Sequence, residues 1–351
     1  RDTIFRIFSM TKPITSVAFM RLYELGLVSL DDPVHKFIPS WKDLIVYQSG
    51  NLNNFFGIPP SQPMTIKHLL THQSGLSYGI MSDTKVDQAY RTLINLSDPN
   101  SGTLEDLIEV LSNLPLLFTP GSAWNYSLST DVLGFLISII SDMDFDDYLK
   151  KYIFDPLEMK DTDFYVPDEK IHRLAANYVS VPSNYSSEEN FSESEGLRLI
   201  DDPLESIYGE KPAYLSGGGG LVSTLDDYMN FSRMLLNKGG LGDAFILNPE
   251  TVELMTQNHI PNNNDLNQFA MTGIRWAESS FEDVGFGLGF STQTADTSEG
   301  SKGQYGWGGA ASTYFWIDPQ IDLICIFMTQ FVPSYTYDIR NELKRIVYSI
   351  S

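Results

Sequence analysis

The last third of this chain is strand-like, and its place after a run of helices limits the folds open to it. Phe286 to Thr292, Gly303 to Trp316 and Asp322 to Phe331 alternate or run apolar, and Asp318-Pro-Gln-Ile321 signals a turn between the last two. Ahead of them the spacing predicts helices. Met10 to Leu25 repeats apolar residues at Ile14, Val17, Ala18, Leu22 and Leu25, with Pro13 in the first turn and Gly26 as a stop. Thr65 to Leu70 is a shorter helix ending in a turn over 71–75. Thr103 with Asp106 caps a helix running through Leu111, and Thr224 with Asp227 caps another over Leu225 to Leu236. Asp131 to Ile140 is apolar nearly all round and belongs inside a helical layer, which Asp144 to Tyr152 continues. A last helix from Tyr337 to Ile350 covers one face of the sheet. Residues 180–210 are acidic, serine-rich and aperiodic, and read as a surface loop and candidate lid. Helices followed by antiparallel strands, with no fixed-period repeat, predict an α+β fold and not alternating βαβ units.

At 351 residues, with 42% hydrophobic and 13% aromatic content, the chain can bury a large core. Its 45 acidic and 23 basic residues give a net charge of −22, which repels phosphate backbones and anionic lipid. Nucleic acid is therefore not an expected partner. No stretch approaches the ~18 apolar residues of a membrane span. The single cysteine, Cys325, excludes an internal disulfide and a cysteine-rich metal site, and its apolar run Leu323–Met328 predicts a buried, inert thiol.

Ser9-Met-Thr-Lys12 stands at the head of the first helix, so a hydroxyl and an amine share one face, one turn apart. A lysine can take a serine proton where burial or nearby positive charge keeps its amine partly neutral. By itself the pattern reads better as a helix cap followed by a solvated lysine; partners elsewhere carry the catalytic reading. Tyr126, in the turn before the buried helix, can relay the serine proton to a leaving group. Gly308 and Gly309 weaken a strand unless something must approach its backbone, and an acyl substrate is such a thing. The amides of Ala310 and Ser9 then form an oxyanion hole. His68 and His72 lie four apart, but with no His-Glu-x-x-His pattern and no third ligand nearby they are expected to fix a loop. Gly217 to Gly220 lacks the Gly-Lys-Ser/Thr of a phosphate loop and reads as a tight turn beside the cleft, and no Gly-x-Ser-x-Gly elbow is present. The chemistry needs no metal or organic cofactor.

Ser9–Pro13, Leu69–Leu76, Tyr126–Leu128, Ser216–Thr224 and Trp307–Gly309 together resemble, in order and over nearly the whole chain, the serine β-lactamase-like superfamily. Within it the chain is most similar to the family VIII carboxylesterases. The resemblance implies an antiparallel sheet flanked by helices (1–30 with 205–351) set against a mostly helical domain (31–204), with the active site between them. It also implies that Ser9 is acylated, that Lys12 and Tyr126 form the base system, and that Trp307-Gly-Gly replaces a Lys-Thr-Gly strand motif. Class C β-lactamases carry a lysine at the place of Trp307 and an asparagine at that of Leu128. Tryptophan and leucine offer apolar surface instead, so an ester with a short acyl chain suits the site better than an anionic β-lactam. The alternatives are a β-lactamase or D-amino-acid peptidase using the same site, and a non-catalytic penicillin-binding-like recognition protein. Tyr78 and Trp307 are expected as pocket walls, and Asp131 as a supporting group near Tyr126. Members of this family place a helix and two strands ahead of Ser-x-x-Lys, whereas eight residues precede Ser9 here. The sheet is therefore expected to show an exposed edge.

Overall fold

Extended backbone just ahead of the serine is pinned at both sides before the first helix begins. In the computed structural model, which describes residues 1–95, 98, 100–181, 196–271 and 281–350, strand β1 (Phe5–Arg6) leads through a 3-10 turn (Phe8–Met10) into helix α1 (Thr11–Glu24). A hairpin, β2 (Val46–Asn51) and β3 (Asn54–Ile58), precedes five helices: α2 (Ile66–Leu70), α3 (Lys85–Leu93), α4 (Leu104–Ser112), α5 (Ser129–Ser141) and α6 (Phe145–Leu149). Thr65, Thr84 and Thr103 cap α2, α3 and α4, each accepting from the amide three residues on. Helix α5 packs on α1 and buries Val132, Leu133, Leu136 and Ile137 completely. Each such burial contributes about 1.5–3 kcal/mol relative to exposure.

The chain continues through β4 (Asn177–Val181), β5 (Gly196–Asp201), β6 (Val222–Ser223), α7 (Leu225–Leu236), the hairpin β7 (Gly240–Leu241) and β8 (Ala244–Phe245), α8 (Pro249–Thr256) and α9 (Leu266–Phe269). Strands β9 (Val284–Phe286), β10 (Ser291–Gln293), β11 (Tyr305–Gly308), β12 (Tyr314–Asp318) and β13 (Leu323–Phe327) form an antiparallel sheet in the order β13-β12-β11-β10-β9. The chain ends with β14 (Phe331–Val332), which pairs with β4 in a smaller sheet, and α10 (Ile339–Ile350). Antiparallel pairing of β1 with β6, Phe5 opposite Ser223, ties the segment before Ser9 to the strand that follows the glycine run.

Successive strand residues point to opposite faces. Tyr228 of α7 packs on Phe315, ring centroids 4.9 Å apart, while Trp316 donates from Nε1 to Tyr348 Oη of α10 at 3.2 Å. The main sheet thus lies between α7 and α10. Trp307 is opposite Phe315 in the register and Gly308 is opposite Tyr314. Trp307 therefore faces the α7 side and Gly308 the α10 side.

The helices follow the capping and periodicity signals closely, but three expected strands break. Phe286 to Thr292 is two strands around a turn in which Gly289 has φ 98° and the Gly287 amide donates to Phe290 O at 2.7 Å. Gly303 to Trp316 is the hairpin β11–β12, turning over 309–313 where Ser312 has φ 66°. Asp322 to Phe331 stops at Phe327, and Phe331 joins the other sheet. The loop expected over 180–210 is bounded by paired strands, β4 with β5; residues 182–195 lie outside the described residues. Strand β5 buries neither face, with the successive residues Leu199 and Ile200 each 42% exposed, so no apolar alternation marks it. Cys325 is half-buried, not buried, and desolvation pushes its thiol up to about 11. Strand β13 is the outermost of its sheet among the described residues, and its side chains are half-buried throughout.

Candidate active site

Phe8 has φ 43°, a left-handed conformation unfavourable for a bulky residue, and the strained turn it begins sets Ser9 at the head of α1. One turn on, Lys12 is 1% exposed. Its Nζ donates to Ser9 Oγ at 3.2 Å and to Gly218 O at 2.6 Å. The same Nζ lies 4.5 Å from the ring centroid of Tyr126 and 5.2 Å from that of Tyr78, distances at which a ring face attracts a cation. One amine thus brings Ser9, Tyr126, Tyr78 and the glycine turn together.

Tyr126 is buried in an aromatic cluster. Tyr78 stacks on it with centroids 5.5 Å apart and an interplanar angle of 11°, Trp307 is tilted at 5.5 Å, and His72 lies at 4.9 Å. Trp307 Nε1 donates to Tyr126 Oη at 3.3 Å, so the β11 tryptophan fixes the phenol as well as walling it. Leu128 is fully buried, its amide donating to Ser77 O at 3.1 Å, and presents no surface of its own. Gly309 follows β11, and a Cβ there would lie 2.5 Å from Ile7 O and 2.1 Å from Thr313 Oγ1. Only glycine lets this turn press on the backbone two residues before Ser9. Among the described residues the Ala310 amide donates to no protein acceptor.

Asp131 sits deeper than expected and does not reach Tyr126 through a hydrogen bond. Its Oδ1 accepts from Tyr214 Oη at 2.9 Å, Ser216 Oγ at 2.6 Å and the Gly218 amide at 3.2 Å. Through Gly218 it supports Lys12 instead. His68 and His72 both brace loops: His68 Nδ1 accepts from the Thr65 amide at 3.1 Å, and His72 Nδ1 pairs with Ser127 Oγ at 3.1 Å. Among the described residues no group of three His, Cys, Asp or Glu side chains is placed to hold a metal ion.

Residues 1–348 match the Beta-lactamase family. The chain belongs to that family. It is 32% identical to "Protein Rv1367c" of Mycobacterium tuberculosis over 346 residues, covering 96% of this chain and 80% of that protein. It is 28% identical to the lovastatin esterase of Penicillium rubens over 358 residues, covering 98% of this chain and 84% of the relative. Among solved structures, the LovD6 mutant of simvastatin synthase from Aspergillus terreus matches with a TM-score of 0.78 and 25% identity over 99% of this chain and 81% of that one. The expected architecture, antiparallel sheet flanked by helices, is the fold shared with these members of the Beta-lactamase family.

Within this family fold, the electrostatics of the site come mainly from burial. Desolvation, with the nearby Lys12 charge second, holds His72 well below its ordinary range, so the imidazole behind Tyr126 is neutral. Desolvation and the Asp131 carboxylate push Tyr214 well above its ordinary value, and its hydroxyl is therefore a fixed donor. Sequence reasoning missed Tyr214, Ser216 and the Gly218 carbonyl as supports of the lysine. Polar residues directly before a four-glycine run were the signal available.

Proposed function

We propose that this chain is a serine acyl-transfer enzyme that cleaves carboxylic esters through an acyl-enzyme on Ser9. The observation that carries the reading is the Lys12 amine, buried and 3.2 Å from Ser9 Oγ while lying against the Tyr126 ring. Ser9 Oγ adds to the ester carbonyl as its proton passes into the Lys12–Tyr126 pair, and the carbonyl oxygen becomes an oxyanion between the Ser9 and Ala310 amides. The carbon–alkoxide bond then breaks, and Tyr126 returns the proton to the departing alcohol. Water adds to the acyl-enzyme by the reverse path, releasing the acid and restoring Ser9.

Trp307 brings an apolar ring and no charge to the site, which favours a neutral ester over an anionic β-lactam, whereas the buried Leu128 takes no part in that choice. The relatives include an esterase and a simvastatin synthase, so an alcohol in place of water is the natural second acceptor. A panel of p-nitrophenyl butyrate and a chromogenic cephalosporin, with Ser9→Ala as control, tests the reading. Ester turnover that vanishes in Ser9→Ala is expected, with cephalosporin turnover at least ~100-fold slower, the loss that one mispaired polar group in a substrate site brings. Fast cephalosporin turnover with negligible ester cleavage would sink the assignment. So would a folded sample that takes up no fluorophosphonate at Ser9, which a recognition protein would give.

A further inference from the structure

Arg340 lies in the first turn of α10, where the helix dipole disfavours a cation, so its place is not explained by its own helix. Its guanidinium reaches back to the end of β11. Nη2 donates to Gly309 O at 2.7 Å and to Thr313 O at 3.1 Å, and the same Thr313 carbonyl accepts from the Gly309 amide at 2.8 Å. The guanidinium also lies 5.2 Å from the Tyr314 ring centroid and against Gly308, whose Cβ, if present, would come within 2.7 Å of Arg340 Cζ. Gly308 and Tyr314 face α10, whereas Trp307 faces the opposite side, so Arg340 approaches the Trp-Gly-Gly strand from behind the cleft.

Gly309 O and the Ala310 amide belong to one peptide group. The only cis bond among the described residues is Val332–Pro333, so this peptide is trans and its C=O and N–H point in opposite directions. A carbonyl drawn towards α10 sends the Ala310 N–H towards the cleft. A charge-assisted bond to the carbonyl oxygen also polarises the peptide, making its N–H a stronger donor. We infer that Arg340 is a positioning residue for acyl transfer: by gripping Gly309 O it aims and strengthens the Ala310 amide as oxyanion donor. This rests on the proposed role of Ala310 and adds a residue outside the cleft to it.

The test compares Arg340→Gln and Arg340→Lys with the unaltered chain, measuring kcat and KM for p-nitrophenyl butyrate, the melting temperature, and the inhibition constant of phenylboronic acid. The boronate forms a tetrahedral adduct on the serine and so reads the oxyanion hole directly. Arg340→Gln should lower kcat by about 10–100-fold, less than the 10²–10³ that loss of a whole oxyanion donor brings, with KM changed less than about twofold. Boronate affinity should fall in the same proportion as kcat, and Arg340→Lys should recover part of both because the charge remains. A folded Arg340→Gln that keeps its kcat and boronate affinity overturns the inference. So does a variant set in which kcat and KM move with the melting temperature and boronate affinity does not. If Arg340→Gln does not fold, Arg340→Lys carries the test: an ammonium cannot reproduce the planar fork, so boronate affinity must fall more than KM rises, and equal changes overturn the inference. Failure of the unaltered chain to label with fluorophosphonate would remove the reading of the whole site. Normal labelling with an indifferent Arg340 removes this inference alone.

Discussion

The Asp131 carboxylate is fully buried, takes three donors on Oδ1, and has no protein donor on Oδ2 among the described residues. An arrangement this lopsided holds the donors more than it satisfies the acid, and one of those donors is the residue whose carbonyl holds Lys12. Asp131→Asn keeps the volume and an acceptor but removes the charge that strengthens three bonds. It is expected to lower unfolding stability by about 2 kcal/mol, within the range for hydrogen bonds to a charged group. Ester kcat should fall by about tenfold, because Lys12 loses a fixed anchor, with one such kcal-scale loss per factor of ten. Guanidinium unfolding and ester turnover on the same sample check both numbers. A destabilised Asp131→Asn with unchanged kcat would mean that Gly218 holds Lys12 without help from the carboxylate.

At the scale of elements, α2 shows how a single histidine couples a cap to pH. Its capping box has His68 in the place usually taken by Glu or Gln: Thr65 Oγ1 accepts from the His68 amide at 3.4 Å, and His68 Nδ1 accepts from the Thr65 amide at 3.1 Å. Burial first, and the Lys67 charge second, lower the imidazole from 6.5 to about 4, so the folded chain prefers the neutral ring that can accept. The stability this contributes is whole above the unfolded value of 6.5 and is lost as pH falls from 6.5 towards about 4. His68→Gln keeps an acceptor and removes the titration. It should match the parent at pH 7.5 and lose about 1–3 kcal/mol less between pH 6.5 and 4, as pKa-linked stability requires. Equal acid slopes in melting curves of the two proteins would refute this. The caps themselves were legible in the sequence, since Thr103 and Thr224 announce α4 and α7 by local hydrogen bonding alone. So was the juxtaposition of Ser9, Lys12 and Tyr126, because a helix turn fixes the first two and the resemblance carried by Tyr126–Leu128 supplies the third. Strand limits were not legible, because Gly289 and Ser312 turn the chain through backbone angles that apolar periodicity does not encode. Arg340 was invisible for a related reason: its partners are carbonyls of a distant turn, and no local pattern marks a side chain whose role is to hold backbone.

Across the whole molecule the dominant feature is uncompensated negative charge. Even if every lysine and arginine were paired, the excess of 22 carboxylates would remain. The exposed ion pairs do not change that balance: Arg1–Asp226 at 2.6 Å and Arg345–Asp338 at 2.7 Å lie at the surface, where a pair contributes about 0–1 kcal/mol. Arg6–Asp201, at 2.6 Å with Arg6 1% exposed, is shielded from salt, and it locks the strand leading to Ser9 against the far sheet. Salt therefore acts on two populations with opposite sign. Screening weakens the few exposed attractive pairs and relieves the many exposed repulsions, while the buried pair is left nearly untouched, since the screening length of about 10 Å at 0.1 M applies to charges in solvent. With acids outnumbering bases almost two to one, the relief is the larger effect. The melting temperature should rise by about 1–2 °C or more between 10 mM and 300 mM sodium chloride, the shift that about 1 kcal/mol brings in a chain of this size. Potassium chloride should act equally, because the effect is ionic strength and not a specific site. A melting temperature that falls with salt would show that attractive surface networks, and not self-repulsion, govern the stability of this chain.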